Sequence, residues 1–399
     1  MPKQDSKKFH AVFFSYGILE QAGGFENYLM ATTQGLAERH KNLEVTIVTM
    51  TPRIVEKLQH LYTVYFFRKQ DPKAIYRESY DVIMKKLKDV RYVRADSLAE
   101  LKQILQAADA IYSKNEMLEM TVLNKLGIKS LPPIIIGVHT PIYYPNTPSL
   151  SARLHNLVYT GFVYRQLTKN LKLIQVNNHD DLKLVSSKLK FPNVKVIGQA
   201  FDIPALTRRQ RHDGKLRILF VGRLTEAKGI SLLTEVIKRL DSDLHDGYEM
   251  KIAGSGDVAF VNQVKRLADK IEAVDYLGHV DNEKVSELYD WTDVTVITSE
   301  YETLNKVAIE TAIAGKVAVC TDIPGPREVI LHNQTGYLLP ADATIFIDKI
   351  KELAQLHKTN PEKLEAIGEA AYNYVNQKFN AEEVYKEMYN DLLSIAKEG

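Results

Sequence analysis

Leu219-Phe220-Val221-Gly222-Arg223-Leu224-Thr225-Glu226-Ala227-Lys228-Gly229 is the stretch on which the reading of this chain turns. An apolar run ends in glycine, two cations follow five residues apart, and a second glycine leads into Ile230, Leu233, Val236, Ile237 and Leu240 at helical spacing. A strand that turns through glycine into an amphipathic helix is half of a β–α–β unit, and open α/β sheets bind ligands beyond the carboxyl ends of such strands. Arg223 falls just past that end and Lys228 at the mouth of the helix. Two converging cations suit a diphosphate, the guanidinium adding bidentate hydrogen bonds that an ammonium cannot make. Taken alone, the pair reads equally well as ordinary surface cations.

The same rhythm runs outward in both directions. Upstream, 10–15, 44–49, 109–112, 134–138, 173–176 and 194–197 read as strands, with helices over 25–39 and 149–169 between them; the span 51–96 resists parsing. Downstream, strands at 216–221, 249–253, 293–297 and 316–320 alternate with helices, and 372–397 is helical. Alternating short apolar runs and helical segments define an α/β class with parallel sheets covered by helices. The polar, proline-containing stretch 203–214 interrupts the alternation and reads as a linker, giving domains over 1–202 and 215–379. At 399 residues the chain is long enough for two cores.

Composition excludes several classes. The chain holds 52 Lys and Arg against 50 Asp and Glu, too even a balance for a nucleic-acid binder. Its single cysteine, Cys320, forbids an intramolecular disulfide and fits a reducing, cytoplasmic setting. No apolar run reaches the length of a membrane span. The region 53–94 is locally basic; it reads as a solvated helical face or as a surface for peripheral contact with an anionic membrane, at its inner, cytoplasmic leaflet.

A second informative segment follows the strand at 293–297: Ser299-Glu300-Tyr301-Glu302-Thr303-Leu304-Asn305-Lys306-Val307-Ala308-Ile309-Glu310-Thr311-Ala312-Ile313-Ala314-Gly315. A short helix from Lys306 to Ala314, closed by Gly315, would offer free amides from about Leu304 to Val307 to an anion. Glu310, inside that helix, can accept two hydroxyl hydrogen bonds from a ribose, and Glu302 can do the same for a sugar. A capping Glu302 and a solvated Glu310 are the structural alternatives.

Five strings now stand in line: Arg-x4-Lys-Gly at 223–229, Ile252-Ala253-Gly254-Ser255-Gly256, Tyr276-Leu277-Gly278-His279-Val280, Glu302-x7-Glu310, and Thr321-Asp322-Ile323-Pro324-Gly325-Pro326-Arg327-Glu328. In order and spacing, from about 216 to 339, the chain resembles the family 4 retaining glycosyltransferases. That resemblance implies the GT-B fold, two Rossmann-like domains with parallel sheets facing a central cleft, and a last helix, about 380–399, that returns to the first domain. It implies that Arg223 and Lys228 neutralise the donor diphosphate, that Glu310 holds the nucleotide ribose and that Glu302 meets sugar hydroxyls. Thr303, Leu304, Asn305, Lys306 and Val307 complete the donor-binding set. In the first half, Gly23-Gly24-Phe25-Glu26 resembles the family's glycine-rich loop, and His139, ending the strand at 134–138, resembles the histidine near the transferred sugar. Thr303-Leu304-Asn305 departs from the family's usual small or Phe-Gly pair, which bears on sugar identity.

The expected activity is a metal-independent, hexosyltransferase-type transfer from a nucleoside-diphosphate sugar, UDP-linked before GDP-linked, to a hydroxyl of a glycan, lipid-linked or small-molecule acceptor, with retention and without cofactor. His139, Glu302, Arg223 and Lys228 form the catalytic set. Asp241-Ser242-Asp243 matches an Asp-x-Asp metal motif but reads as a polar turn after a helix ending at Leu240. A catalytically silent binding subunit and a nucleotide-sugar epimerase are the alternative readings on this scaffold.

Overall fold

In the computed structural model, which describes residues 7–17, 19–21, 24–55, 58, 80–139, 142–144, 150–207, 214–244 and 247–397, the alternation becomes two all-parallel sheets. The chain divides into two compact units, Met1–Ala200 with Ala381–Gly399, and Phe201–Asn380.

The first unit holds strands β1 (Phe9–Phe14), β2 (Leu43–Met50), β3 (Val90–Ala95), β4 (Ala110–Lys114), β5 (Ile134–Gly137), β6 (Leu173–Val176) and β7 (Val194–Val196), in the order β3-β2-β1-β4-β5-β6-β7. Val12 of β1 faces Thr46 on one side and Ile111 on the other. The order reverses between β1 and β4, the point at which such sheets open a crevice at their carboxyl edge. Helix Ala381–Lys397 belongs to this unit: Val384, Tyr385, Met388 and Leu392 pack among Leu29, Leu36 and Ala37 of helix Gly24–Arg39. Its buried Asp391 accepts from Gln175 on β6 at 2.7 Å and from Lys195 on β7 at 2.6 Å.

The second unit holds β8 (Leu216–Val221), β9 (Tyr248–Ala253), β10 (Val274–Gly278), β11 (Val294–Ile297), β12 (Val317–Thr321) and β13 (Gly336–Leu339), ordered β10-β9-β8-β11-β12-β13. Leu233, Val236, Ile237 and Leu240 of helix Ile230–Leu244 are buried against Leu216, Ile218 and Phe220 of β8. Each such side chain contributes about 1.5–3 kcal/mol relative to exposure, so this helix is held by its apolar stripe. Cys320 is buried on β12.

Several expectations change. Strand β3 lies inside the span that resisted parsing, and β10 and β13 were not anticipated as strands. The helix expected over 149–169 is two, Leu150–Thr160 and Phe162–Thr168, separated by Gly161. The one expected over 372–397 is also two, Pro361–Phe379 and Ala381–Lys397, because Asn380 is extended (φ −60°, ψ 131°) and forms a bridge with Phe201. Asp241, Ser242 and Asp243 do not form a turn: helix Ile230–Leu244 continues through them, and Asp243 pairs with Lys351 at 3.1 Å. Gly23, positions 208–213 of the expected linker and much of the basic 53–94 region lie outside the described residues. Among the described residues no helix is long and apolar enough to cross a membrane.

Candidate functional site

Strands β8 and β11 are neighbours at the middle of the second sheet, so the loops leaving their carboxyl ends lie side by side. They are also tied together: the Glu300 amide donates to Ala227 O at 3.0 Å and Thr298 Oγ1 donates to Lys228 O at 2.9 Å. Gly229 permits this approach. Its φ is +65°, in the left-handed region, and a methyl at that position would collide with the carbonyl oxygen of Thr298.

Across this junction Lys228 forms an ion pair with Glu302, with 25% and 17% of their side-chain surfaces exposed. Ser299 Oγ donates to the same carboxylate oxygen at 3.0 Å. The Glu302 carbonyl accepts from the Gly325 amide at 2.9 Å, which fixes the loop from behind. Arg223 is exposed and has no ionic partner among the described residues. One cation thus stands free and the other is held by a carboxylate that an incoming anion would replace.

Helix Lys306–Ile313 starts at the end of the second loop. Asn305 is its N-cap, accepting from the Ala308 amide at 2.8 Å, a bond worth about 1 kcal/mol to the helix. Helix geometry leaves the Lys306 and Val307 amides without intrahelical partners, a site favourable to negative charge. Leu304 is buried in the apolar cluster with Ala308 and Ile309, and Val307 packs at its margin, so these two offer a ligand backbone rather than side chain. Thr303 is half-buried and Lys306 exposed.

Glu310 is half-buried rather than solvated, and burial raises its pKa; a 2.7 Å hydrogen bond from Tyr289 Oη and the charge of Lys306 act in the opposite direction. Although Lys306 as a whole is exposed, surrounding protein partly desolvates its ammonium group and lowers its pKa, with Glu310 opposing. Tyr289 is buried, so its hydroxyl fixes one carboxylate oxygen and leaves the other available. Nothing local in Asn282–Trp291 announces Tyr289 as a site residue; only folding brings it to Glu310.

The first unit carries the remaining predicted residues. His139 follows β5, and its Nε2 lies 3.0 Å from the Tyr112 hydroxyl on neighbouring β4. Its ring packs against Phe25 and Tyr28 of the first helix, with centroids 5.0 and 4.3 Å apart. Gly137, two residues earlier, is required for that geometry, since a methyl there would meet both Tyr112 Oη and His139 Nε2. Gly24 opens the helix that supplies Phe25.

Beside them is a pair that the sequence did not single out. Lys114, the last residue of β4, lies 3.6 Å from Glu119, with 9% and 0% of their side chains exposed. The Lys114 ammonium sits over the rings of Tyr16 and Phe25, at 4.5 and 4.8 Å from their centroids. Burial pushes Glu119 up to about 8 despite the neighbouring ammonium, while Glu119 and other nearby acids hold Lys114 above its ordinary value.

Comparison with known proteins agrees with this architecture. Residues 202–374 match the family model Glycosyl transferases group 1. An uncharacterised glycosyltransferase of Methanocaldococcus jannaschii is 35% identical over 125 residues, 31% of this chain and 32% of that protein. The glycogen synthase of Mycobacterium tuberculosis is 33% identical over 135 residues, 33% of this chain and 32% of that protein. The chain thus matches about a third of the length of these curated relatives. Among solved structures, Anabaena HepE in complex with UDP superposes with a TM-score of 0.69 over 97% of this chain and 100% of that one, at 16% identity. The chain has the GT-B fold.

Proposed function

We propose that the protein is a retaining glycosyltransferase of family 4 that transfers a sugar from a nucleoside-diphosphate donor, a UDP-sugar first, to a hydroxyl of a glycan, lipid-linked or small-molecule acceptor. The observation that carries this reading is the Lys228–Glu302 pair beside exposed Arg223, at the joined carboxyl ends of β8 and β11 and within the span that matches group 1 glycosyl transferases. The bound UDP of the structurally similar Anabaena protein favours uridine.

Binding of a diphosphate exchanges one ion pair for another. Lys228 turns from Glu302 to the β-phosphate, Arg223 adds its fork, and the Lys306 and Val307 amides face the developing charge. Glu302, released, accepts sugar hydroxyls, while Glu310, held by Tyr289, accepts from the ribose. The bond from the anomeric carbon to the phosphate oxygen breaks as the acceptor oxygen bonds to the same face of that carbon. The acceptor proton passes to the departing phosphate, so no carboxylate nucleophile or metal ion is needed. His139 positions and stabilises the sugar.

A thermal-shift screen of UDP- and GDP-sugars tests the site: a ligand at a hundredfold excess over its Kd stabilises by about 2.7 kcal/mol. Glu310→Ala should abolish that shift, and an undiminished shift would refute the assignment. Free nucleoside diphosphate formed in the presence of an acceptor identifies transfer. Isomerised donor would make the protein an epimerase, and binding without turnover a silent subunit.

A further inference from the structure

Helices Leu150–Thr160 and Phe162–Thr168 lie between β5 and β6 of the first unit and bury only one side. The inward side is aromatic: His155 stacks on Tyr159 at 4.2 Å, and Tyr159 and Tyr164 are buried. The outward side is apolar too. Leu150, Leu154 and Leu157 fall at i, i+4 and i+7 on one helical face and are 72%, 44% and 69% exposed, and Phe162 and Val163 begin the next helix 75% and 62% exposed. Five of the ten large hydrophobic side chains that stand exposed among the described residues therefore lie within fourteen residues. Exposed apolar side chains gathered this densely mark an interaction surface.

Its charge identifies the partner. From 120 to 179 the sequence contains Lys125, Lys129, Arg153, Arg165, Lys169 and Lys172 and no Asp or Glu at all, in a chain whose acids and bases are otherwise nearly balanced. Arg153 and Arg165 are exposed on the two helices, and Lys169 is exposed at the end of the second. Apolar side chains flanked by cations, with carboxylates absent from sixty consecutive residues, match a bilayer of anionic headgroups over acyl chains. Neither a neutral glycan nor an ordinary protein surface calls for both features together.

We propose that these two helices are a membrane-docking face, inserting Leu157, Phe162 and their apolar neighbours below the headgroups of an anionic lipid surface while Arg153, Arg165 and Lys169 meet the phosphates. This assignment is independent of whether the second unit transfers sugar.

The test is co-sedimentation of the full chain with vesicles of phosphatidylcholine containing phosphatidylglycerol, against vesicles of phosphatidylcholine alone. Binding to the first and not the second, weakening as salt rises, is expected. The double variant Leu157→Glu/Phe162→Glu should bind at least about tenfold more weakly, since it deletes two inserted side chains, with an unchanged circular dichroism melt. Arg153→Glu should weaken binding about fivefold or more for the lost charge. Failure of the wild-type chain to bind anionic vesicles, or full binding by the double variant, would overturn the proposal. So would a dimer in sedimentation velocity that the double variant dissolves, because the face would then belong to a second copy.

Discussion

At the carboxyl edge of the second sheet the Lys228–Glu302 pair retains a quarter and a sixth of its side-chain surface; at the same edge of the first sheet Lys114 retains a tenth and Glu119 none. The first pair joins the loops that leave two neighbouring strands, and the second joins the end of one strand to the helix that follows it. Exposure separates what they can do. A partly exposed pair, whose charges water can still reach, loses less when a ligand takes one partner away. A buried pair whose ammonium is also held over Tyr16 and Phe25 cannot be opened without leaving a charge stranded in a medium that solvates it poorly. The first is an exchangeable contact suited to binding and release, and the second is part of the frame that sets Phe25, and hence the His139 ring, in place.

The sharpest way to break this comparison is to remove the cation on each side. Lys114→Met should cost the first unit about 1–3 kcal/mol, the penalty for leaving the buried Glu119 carboxyl without its polar partner, read as a lowered first transition in a calorimetric melt. Lys228→Ala should leave the melt of the ligand-free protein nearly unchanged yet reduce turnover about 10²–10³-fold, as for loss of one donor to a developing anion. If the two variants exchange these phenotypes, the assignment of frame and contact is reversed. Gly137→Ala should lower turnover by about 10²-fold through a displaced His139 while leaving the donor Kd unchanged, the kinetic mark of a misplaced group rather than a lost binding contact. Tyr289→Phe should raise the donor Kd about fivefold, a hydrogen bond's worth, measured by titration calorimetry.

Stability of the first unit should also depend on pH. A carboxyl whose folded pKa is raised binds its proton more tightly in the folded state than in the unfolded one, so its contribution to stability falls as pH rises from the ordinary carboxylate value to about 8 and is flat outside that window. Glu119→Gln should remove that slope, and the difference in melting temperature between variant and wild type should grow from pH 5 to pH 8. A difference that stays constant across the window would show that the Lys114 ammonium keeps Glu119 ionised throughout.

The same contrast explains what could be read without coordinates. Arg223, Lys228, Glu302 and Glu310 occur in two strand–loop–helix strings, where period and glycine placement announce the loop and its residues together. His139 was visible because it ends an isoleucine run. Lys114 and Glu119 were not, since β4 and the helix Met117–Lys125 carry no local sign that their charges turn inward, and Tyr289 reaches Glu310 only through tertiary packing. Among the strands, β1, β8 and β12 have continuous apolar runs. Strand β3, Val-Arg-Tyr-Val-Arg-Ala, lies at the sheet edge, where Arg91 is exposed and Arg94 pairs with Glu20, so the alternation resembles a charged surface segment. β13 is a four-residue edge strand, too short for periodicity to register. Helix continuity was overestimated twice, because Gly161 and Asn380 break segments whose flanks share one helical period.

The division of the first unit between two distant stretches of chain has a consequence for biosynthesis. A ribosome delivers Met1–Ala200 first and then the whole of Phe201–Asn380 before Ala381–Lys397 emerges. During that interval Leu29, Leu36 and the ring site later filled by Tyr385 against Gly35 present an open apolar seam. The nascent chain therefore carries an unfinished domain ahead of a finished one, and the delay before the seam closes is set by the rate of translation across about 180 codons rather than by the speed of folding.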